Sequence, residues 1–321
     1  MNAPSSPNGI SLGQWYNARQ QHEHPSGARR SAVPCADEAV QKIAIQGEPG
    51  SFSHEAALKF APGACIVPCA LSAEVFAALS QGAVDAIAVP IENSLAGSVL
   101  EHFDLLLAHD VRVERETLLR IRHNLIVLPG TQIDQIERVF SHPVALAQCR
   151  AYFGRHPQME SCAFYDTAGS VKQLMALQDP RAAAIASQSA ARFYGAEILE
   201  TSIEDNPENY TRFFLVRRAA ETVADPAANK ISLAFSCENR PGSLVAALNE
   251  LAALGANMTK IESRPVHGKP WEYIFYVDCQ YSAAEIPARI LASLQPHCAM
   301  IQELGRYREA EALEADPRKE I

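Results

Sequence analysis

The chain has 321 residues, of which 48% are hydrophobic, 20% charged and 7% aromatic. This length exceeds what one hydrophobic core usually supports, so we expect two globular domains, and the composition excludes a chain that is disordered throughout. A formal net charge of -9 disfavours a nucleic-acid partner, and no apolar run approaches the ~20 residues of a membrane-spanning helix, so neither nucleic acid nor a membrane is an expected partner.

The eight cysteines are spread through apolar segments, at positions 35, 65, 69, 149, 162, 237, 279 and 298. No CxxC motif or Cys/His cluster with metal-ligand spacing accompanies them, so we expect neither a disulfide scaffold nor a metal site. We interpret these cysteines as buried free thiols. Together with the missing secretory signal, they indicate a cytoplasmic protein.

Residues 1–41 are rich in Ser, Pro, Asn, Gln, His and Arg and show no sustained periodicity, which predicts a flexible N-terminal tail. This segment begins without the basic start and apolar core of a secretory signal. An organellar transit sequence is the alternative. Arg29 and Arg30 favour it, and Asp37 and Glu38 weaken it.

From Lys42 onward, short apolar strands alternate with helical segments, which is typical of an α/β fold with a largely parallel sheet. A first strand is followed by a glycine-containing turn and a helix, then by a second helix and a buried strand. Apolar spacing predicts a further helix, after which extended segments lead into a second lobe. These elements are predicted at 42–46, 47–60, 73–82, 84–91, 98–110 and 111–128.

The second lobe repeats the strand-helix order three times. Its predicted strands are ERVFS, CAFYD and AAAIA, and its predicted helices cover about 143–153, 170–177 and 187–195. A strand at 210–218 closes the region. We therefore expect a domain over 42–221, with lobe one at about 42–115 and 203–218 and lobe two at about 116–202.

A second domain is predicted after a linker. The stretch 222–229 is made mostly of small residues and contains Pro226, which is typical of a linker. Over 230–306 the predicted order is strand, helix, strand, strand, helix, strand, the βαββαβ order of ferredoxin-like domains. Residues 307–321 are expected to form a C-terminal tail.

Small hydroxyl residues stand where predicted strands lead into helices, at Ser51, Ser141 and Thr167. Helix N-termini expose N–H groups at a positive dipole end, and ligands of α/β sheets gather at the carboxyl ends of strands. Three such junctions facing one cleft predict a site for a small polyanion. Ordinary N-capping is the alternative for each junction taken alone. Gln148, about two helical turns after Ser141, either reaches into this cleft or lies on the solvated surface.

Two further groups of polar residues adjoin buried strands. Asn93 and Ser94 follow the strand at 84–91 and are candidates to hydrogen-bond a ligand. Glu92 beside them is either a general acid or a helix-capping carboxylate. Thr211 and Arg212 place a hydroxyl and a guanidinium at the start of an otherwise apolar strand, where burial or a cleft is expected.

The usual parts of several enzyme classes are missing from the sequence. It has no Walker phosphate loop, no GxGxxG after the first strand, no HExxH helix and no GxSxG elbow. The functions that remain for this cleft are a reaction without a bound cofactor and ligand binding without catalysis.

Six motifs in fixed order carry a resemblance to a known family: GEPGSFSHEAA at 47–57, VPIENSLAGS at 89–98, SHPVALAQC at 141–149, DTAGSVKQL at 166–174, NYTRFFLV at 209–216 and MTKIESRP at 258–265. Over roughly 43–306 the chain resembles a monofunctional prephenate dehydratase, a catalytic domain followed by an ACT regulatory domain. The resemblance implies a two-lobed catalytic domain like a type II periplasmic-binding-protein fold, with the active site between the lobes. It implies a ferredoxin-like βαββαβ fold for the ACT domain.

The reaction of this family converts prephenate to phenylpyruvate, water and carbon dioxide in phenylalanine biosynthesis, and no metal or organic cofactor is implied. The resemblance makes Thr211 the donor to the departing hydroxyl and Arg212 a partner of a substrate carboxylate. The positions that it places in the substrate cleft are Asn93, Ser94, Ser141, Gln148, Thr167, Arg212 and Phe213.

The ACT resemblance implies feedback inhibition by L-phenylalanine, bound across the interface of a homodimer or homotetramer. The residues implied are Gly242, Ser243, Leu244, Val245, Asn257, Glu262, Ser263, Arg264 and Pro265. The segment before Lys42 is too short for the chorismate mutase domain of some relatives, so one activity is expected. Two other readings stay open, an arogenate dehydratase and a two-lobed amino-acid sensor without catalysis.

Overall fold

The structure is a computed structural model that describes residues 40–266 and 271–311. The predictions for the N-terminal tail, the transit sequence and most of the C-terminal tail lie outside these residues. Within the described ranges, no helix is both long and apolar enough to cross a membrane.

The secondary structure alternates strands and helices up to residue 218 and then follows the βαββαβ order, which confirms the predicted α/β fold class. The strands are β1 (Lys42–Gln46), β2 (Cys65–Cys69), β3 (Ala86–Asn93), β4 (Gly97–Ser98), β5 (Val111–Arg120), β6 (Asn124–Val127), β7 (Arg138–Ser141), β8 (Glu160–Ala163), β9 (Ala182–Ala186), β10 (Glu197–Glu200), β11 (Tyr210–Arg218), β12 (Lys230–Cys237), β13 (Asn257–Pro265), β14 (Tyr273–Gln280) and β15 (Cys298–Tyr307). The helices are α1 (Phe52–Phe60), α2 (Ser72–Ser80), α3 (Leu100–Ala108), α4 (Pro143–Ala147), α5 (Arg150–Arg155), α6 (Thr167–Leu177), α7 (Gln188–Tyr194), α8 (Ser243–Ala253) and α9 (Ile286–Leu294).

Lobe one is built on the strand order β5-β11-β3-β1-β2. Strand β1 pairs in parallel with β2 and β3, whereas β11 returns from lobe two and pairs antiparallel with β3 and β5. On one face of β11, Phe213 and Leu215 pack with α1. On the other face, Phe214 and Val216 pack with α2, α3 and the C-terminal domain. The strand therefore has a buried layer on both sides.

Lobe two has a five-stranded sheet in the order β10-β6-β9-β7-β8, with an apolar cluster on each face. The expected lobe boundary near residue 115 is wrong, because β5 continues in lobe one as far as Arg120, where it pairs with Tyr210 of β11. The chain thus crosses between the lobes at 121–123 and again before β11. The single helix predicted over 143–153 is instead the two short helices α4 and α5, which are separated at Gln148 and Cys149.

The C-terminal domain has the sheet order β13-β14-β12-β15, with α8 and α9 on one face, as expected for a ferredoxin-like fold. Strand β15 also pairs in parallel with β5 at Gly305 and Val113, which joins this sheet to that of lobe one. A Cβ at residue 305 would collide with the carbonyl oxygen of Val113, so glycine permits the two sheets to meet. The two domains share one apolar cluster, to which Phe103 and Tyr276 contribute from opposite sides.

The cysteines differ in part from the prediction of buried free thiols. Cys149 and Cys279 are free and buried, whereas Cys65 is disulfide-bonded. The free cysteines that are only partly buried are Cys69, Cys162, Cys237 and Cys298.

Candidate active site

Asn93 at the end of β3 and Thr211 at the start of β11 are Cα partners at the boundary between the two lobes. Val89 and Ile91 of β3 lie on the face that packs with the C-terminal domain, and strict alternation would place Asn93 there too. Arg212 pairs with Glu92 and Phe213 pairs with Pro90, so β3 has one extra residue between these two pairs. This β-bulge turns the side chain of Asn93 to the face of the sheet on which Thr211 lies. We call Asn93 and Thr211 the cleft pair.

The hydrogen bonds around Asn93 determine the orientation of its amide. Its Oδ1 accepts from the backbone N–H groups of Leu95 and Ala96 at 3.0 and 2.8 Å, so its Nδ2 is turned toward β11. This Nδ2 lies 2.9 Å from Thr211 Oγ1 and 2.7 Å from Asn209 Oδ1. Because Thr211 Oγ1 accepts from Asn93, the hydroxyl keeps its own hydrogen for donation to a ligand.

The hydrogen bonds that orient Asn93 also determine which nitrogen of His123 carries a proton. Asn209 accepts from Asn93 through Oδ1, so its Nδ2 donates to Gln148 Oε1 at 2.9 Å. Gln148 Oε1 is also 2.8 Å from His123 Nε2, which must therefore carry the proton. His123 Nδ1 is buried and has no hydrogen-bond partner among the described residues. Burial lowers the pKa of His123 against the opposing effects of Gln148 and Glu204, so the ring is neutral near pH 7.

The result is a series of neutral, oriented groups that runs from Thr211 to His123 across the lobe boundary. The Nε2 of Gln148 has no partner within 40–266 or 271–311 and can donate to a ligand. A hydroxyl and a carboxamide placed in this way suit an anionic ligand whose leaving oxygen gains charge. Across the described ranges, no three His, Cys, Asp or Glu side chains are grouped to hold a metal ion.

Sequence reasoning identified Thr211, Asn93 and Gln148 but missed Asn209 and His123. Both missed residues stand directly before buried strands, at the two points where the chain crosses between the lobes. A polar side chain at such a crossing was the available signal, because ligands of two-lobed folds bind between the lobes.

Arg212 and Phe213 do not join this site. Successive residues of a strand point to opposite faces, so Arg212 lies behind Thr211. Its guanidinium is 2.6 Å from both Glu116 Oε2 and Asp278 Oδ2 and is buried, so the prediction that it binds a substrate carboxylate is wrong. Phe213 is 1% exposed and packs with α1, which makes it a core residue and not a ligand contact.

Glu92 lies on the same face as Arg212. Its Oε1 is 3.2 Å from Arg212 Nη1, and its Oε2 is 2.5 Å from Lys260 Nζ of the C-terminal domain. The carboxylate is therefore part of an interdomain ion-pair cluster, and the general-acid reading of Glu92 does not fit this position.

Ser141 and Ser94 use their hydroxyls within the protein. Ser141 is fully buried and donates to the carbonyl of Ile185 at 2.6 Å, so it joins β7 to β9 and does not face a ligand. Ser94 is exposed. Its Oγ donates to the Glu208 carbonyl and accepts from the Tyr210 N–H, both at 3.0 Å, and thereby holds the segment that leads into β11.

The helix N-termini do not form the predicted polyanion site. Ser51 caps α1 as expected, but His142 caps α4 and Asp166 caps α6, where it accepts from Gly169 N–H at 2.7 Å. The carboxyl group of Asp166 occupies the position expected for a bound anion. Burial and the nearby Glu48 raise the pKa of Asp166, against the lowering effect of the Gly169 N–H. Thr167 lies half-buried in the first turn of α6.

The loop after β1 connects lobe one to lobe two. Glu48 is buried and accepts from Tyr165 Oη at 2.8 Å and from Lys172 Nζ at 3.0 Å. Gly47 has φ +97° and lies so close to Asp166 that a Cβ would be 2.7 Å from its Oδ2. These contacts hold the two lobes together on one side of the cleft.

The ESRP segment predicted to bind phenylalanine is divided between two faces of β13. Glu262 Oε2 accepts from Ser98 Oγ at 2.7 Å, and Arg264 pairs with Asp104 of α3. Both residues thus contact the catalytic domain, and their assignment to a phenylalanine site stays a prediction of the resemblance. The predicted residues of β13 that remain exposed are Asn257, Ser263 and Pro265.

The other predicted phenylalanine contacts surround the start of α8. Gly242, with φ +83°, precedes the helix, and Ser243 Oγ donates to the Glu238 carbonyl at 2.6 Å. Leu244 packs against the domain core, whereas Val245 is exposed.

Comparison with known families agrees with this architecture. The family model described as prephenate dehydratase matches residues 43–221, and the model described as ACT domain matches residues 231–280. The fold and the site therefore define a two-domain enzyme, with a two-lobed catalytic unit joined to an ACT regulatory unit. The chain belongs to the prephenate dehydratase family and is a hydro-lyase.

Individual relatives cover most of the chain. It is 37% identical over 276 residues to arogenate dehydratase/prephenate dehydratase 2, chloroplastic, of Arabidopsis thaliana, covering 83% of this chain and 72% of the relative. The prephenate dehydratase of Arthrobacter aurescens in complex with L-Phe is similar in structure, with TM-score 0.77, 30% identity and coverage of 86% and 93%. The same TM-score and 32% identity relate it to GqqA, described as a novel type of quorum quenching acylase, with coverage of 87% and 100%.

Proposed function

We propose that this chain converts prephenate to phenylpyruvate, with Thr211 as the hydrogen-bond donor to the departing hydroxyl. The observation that carries this proposal is the 2.9 Å hydrogen bond from Asn93 Nδ2 to Thr211 Oγ1. Because the Asn93 amide cannot turn without losing two backbone hydrogen bonds, Thr211 Oγ1 is held as an acceptor and its hydrogen is directed to the ligand.

The reaction is a coupled loss of two groups from one ring. The bond between the ring and its carboxylate breaks, that electron pair enters the ring, and the bond from the ring to the hydroxyl oxygen breaks. The prephenate dianion and a proton thus give the phenylpyruvate anion, carbon dioxide and water. A threonine hydroxyl is a weak acid, so Thr211 acts through a hydrogen bond that strengthens as the oxygen leaves, and solvent supplies the proton that completes water.

The remaining groups of the site bind and position the substrate. Gln148 Nε2 and the Thr167 hydroxyl are proposed as donors to substrate oxygens. Contact between the lobes at Glu48 and Lys172 holds the two walls of the cleft together on one side. Neutral donors can stabilise the negative charge that develops on the departing oxygen. They do so without a charged side chain in the site, which would itself need a partner of opposite charge.

Phenylalanine is the proposed feedback inhibitor, bound at Gly242, Ser243 and Val245 together with the exposed residues of β13. The ACT domain and the phenylalanine-bound relative support this part of the proposal.

Strand β13 is an edge strand with Met258 39% and Ile261 42% exposed. Exposed edge strands pair readily with a second chain, which supports a homodimer or a larger homo-oligomer. Cys65 is disulfide-bonded, but the other six cysteines of the described residues are free, which supports a reducing compartment, and we propose the cytoplasm.

The test follows turnover of prephenate by the purified chain, with arogenate in parallel and phenylalanine titrated into both reactions. We expect a higher kcat/KM for prephenate and inhibition by phenylalanine. A higher kcat/KM for arogenate would instead identify the chain as an arogenate dehydratase. The comparison is needed because the two substrates differ only in a keto or an ammonium group. No turnover of either, with phenylalanine still bound, would make the chain an amino-acid sensor.

A further inference from the structure

Behind the cleft pair, the adjacent residues of the same two strands face the C-terminal domain. Glu92 and Arg212 are Cα partners, and each directly adjoins one member of the cleft pair along the chain. We call Glu92 and Arg212 the domain-facing pair. Since the two pairs share the same short length of β3 and β11, a change in the backbone at one pair moves the other.

Arg212 is part of a closed ring of hydrogen bonds with three residues of the C-terminal domain. Its Nη1 donates to Asp278 Oδ2 at 2.6 Å, and its Nη2 donates to Tyr307 Oη at 3.0 Å. Ser232 Oγ donates to Asp278 Oδ1 and is 2.5 Å from Tyr307 Oη, so the tyrosine donates to the serine. Each of the four residues is 5% exposed or less.

Further ion pairs hold the same two positions. Arg212 Nε donates to Glu116 Oε2 at 2.6 Å, and Lys230 Nζ donates to the other oxygen of Glu116 at 3.0 Å. Lys260 Nζ is 2.5 Å from Glu92 Oε2. Charges buried in this way remain only when they are paired in good geometry, so the cluster tolerates little displacement of either strand.

The β-bulge connects this cluster to the active site. Without the bulge, β3 would continue its alternation and turn Glu92 toward the cleft and Asn93 toward the C-terminal domain. Lys260 and Arg212 hold Glu92 on the side of the C-terminal domain. The interdomain ion pairs therefore stabilise the bulge, and the bulge presents Asn93 to Thr211.

We propose that Glu92 and Arg212 are positioning residues through which the C-terminal domain sets the geometry of the cleft pair. A shift of the ACT sheet, which carries Asp278 and Tyr307, changes turnover at Thr211 without any group entering the cleft. A ligand that favours one position of that sheet then regulates the reaction in proportion to its preference for that position. The inference rests on the proposed dehydratase function.

The test compares interdomain contacts inside and outside the cluster, in the full-length protein. Asp278→Asn and Tyr307→Phe each weaken the hold on Arg212 with little change of shape. Asp104→Asn is the matched control, because it removes an interdomain ion pair, to Arg264, that does not touch β3 or β11. The measurements are kcat and KM for prephenate, maximal inhibition by phenylalanine, phenylalanine binding by calorimetry and amide exchange at Leu95 and Ala96.

For Asp278→Asn we expect kcat to fall about tenfold, which corresponds to the free energy of one charge-assisted hydrogen bond. We expect KM to stay within about twofold of the wild-type value. Tyr307→Phe should lower kcat about threefold, as a neutral acceptor is lost. Both variants should bind phenylalanine but show smaller maximal inhibition. The amides of Leu95 and Ala96 should exchange faster, because they lose their bonds to Asn93 Oδ1 when the bulge relaxes.

Equal kcat and inhibition in Asp104→Asn and Asp278→Asn would overturn the inference, since general loosening of the interface would then explain both. Unchanged amide exchange at Leu95 and Ala96 in Asp278→Asn and Tyr307→Phe would overturn it as well. That exchange is measured without substrate, so its result stands even if the wild-type protein turns over neither prephenate nor arogenate and the proposed function fails.

Discussion

The two faces of the β3–β11 ladder differ in chemistry although neighbouring residues build them. The cleft face carries neutral groups, and the face toward the C-terminal domain carries paired charges. The neutral set is Asn93, His123, Gln148, Asn209 and Thr211, and the charged set is Glu92, Glu116, Arg212, Lys230, Lys260 and Asp278. Oriented neutral donors can respond to charge that appears in a ligand, whereas buried ion pairs hold a fixed register between two domains.

This difference predicts that mutations on the two faces differ in their main effect. Changes on the cleft face should reduce turnover while the protein stays folded, because the side chains there adjoin space for a ligand. Changes on the other face should mainly reduce the free energy of unfolding, because they leave a buried charge without its partner, and should lower turnover less, through the strands that the two faces share.

The largest effect is expected for Thr211→Ala, which should lower kcat by about 10³-fold, within the range of a lost acid-type donor. Thr211→Ser keeps the hydroxyl and serves as the control, with a much smaller loss. Steady-state kinetics with prephenate, together with thermal unfolding, measure both variants. An alanine variant with wild-type kcat would remove Thr211 from the mechanism.

On the opposite face, Arg212→Met should reduce the free energy of unfolding by about 3–5 kcal/mol, since Glu116 and Asp278 lose a shared cation in a buried site. Burial alone lowers the pKa of Arg212, but Asp278, Tyr307 and Glu116 raise it well above its usual value, so the cation is fully present in the native protein. Denaturant unfolding checks the prediction. A loss below about 1 kcal/mol, the size of an exposed ion pair, would contradict it.

Asn93→Asp should lower kcat by about 10²-fold, because an acceptor replaces the donor to Thr211 and the new carboxylate competes for the threonine hydrogen. Leu95 and Ala96 can still donate to this side chain, so the fold should persist. Ser94→Ala is the neighbouring control with an expected change of about twofold or less, as its hydroxyl bonds only to backbone. Equal losses in both variants would assign the effect to the loop and not to the amide.

The smallest effect concerns pH and the buried histidines. Burial lowers the pKa values of His102 and His123, against their local hydrogen bonds, so both rings resist protonation in the native state. Below about pH 6.5 the unfolded chain therefore binds more protons, and the free energy of unfolding falls by about 1.4 kcal/mol per histidine per pH unit until the native pKa is reached.

His102→Gln isolates one of these contributions. The variant is expected to lose some stability at pH 7, because His102 Nδ1 is 2.6 Å from the Pro90 carbonyl. The informative quantity is the slope between pH 6.5 and 5, measured by denaturant unfolding at each pH. We expect a smaller slope than in the wild type, and an unchanged slope would show that His102 does not titrate differently in the two states.

Strand alternation explains why the sequence identified some site residues and misassigned others. Thr211, Arg212 and Phe213 are consecutive in one motif, yet one lies at the lobe boundary, one faces the C-terminal domain and one is core. The segment from Glu262 to Pro265 is divided in the same way. A motif identifies a strand whose residues have different roles. It does not show which residue lies on which face of the sheet, or which part of the protein each face contacts.

The predictions at helix starts failed for a related reason. Ser141 is predicted to face a ligand, yet it is fully buried, and the helix start at α6, predicted to hold an anion, is already capped by the carboxyl group of Asp166. Serine, threonine and aspartate all serve as caps, so their presence at a junction does not distinguish a ligand site from an ordinary helix end.

The α/β alternation, the βαββαβ order of the second domain and the grouping of Thr211, Asn93 and Gln148 in one site could all be predicted from the sequence. Those features depend on local periodicity and on motifs that are continuous along the chain. The sequence did not predict the bulge that turns Asn93 to Thr211, the place of His123 and Asn209 in the site, or the interdomain cluster around Arg212. These depend on pairings between residues far apart in sequence, and a single-residue change of strand register reverses the face on which each side chain lies.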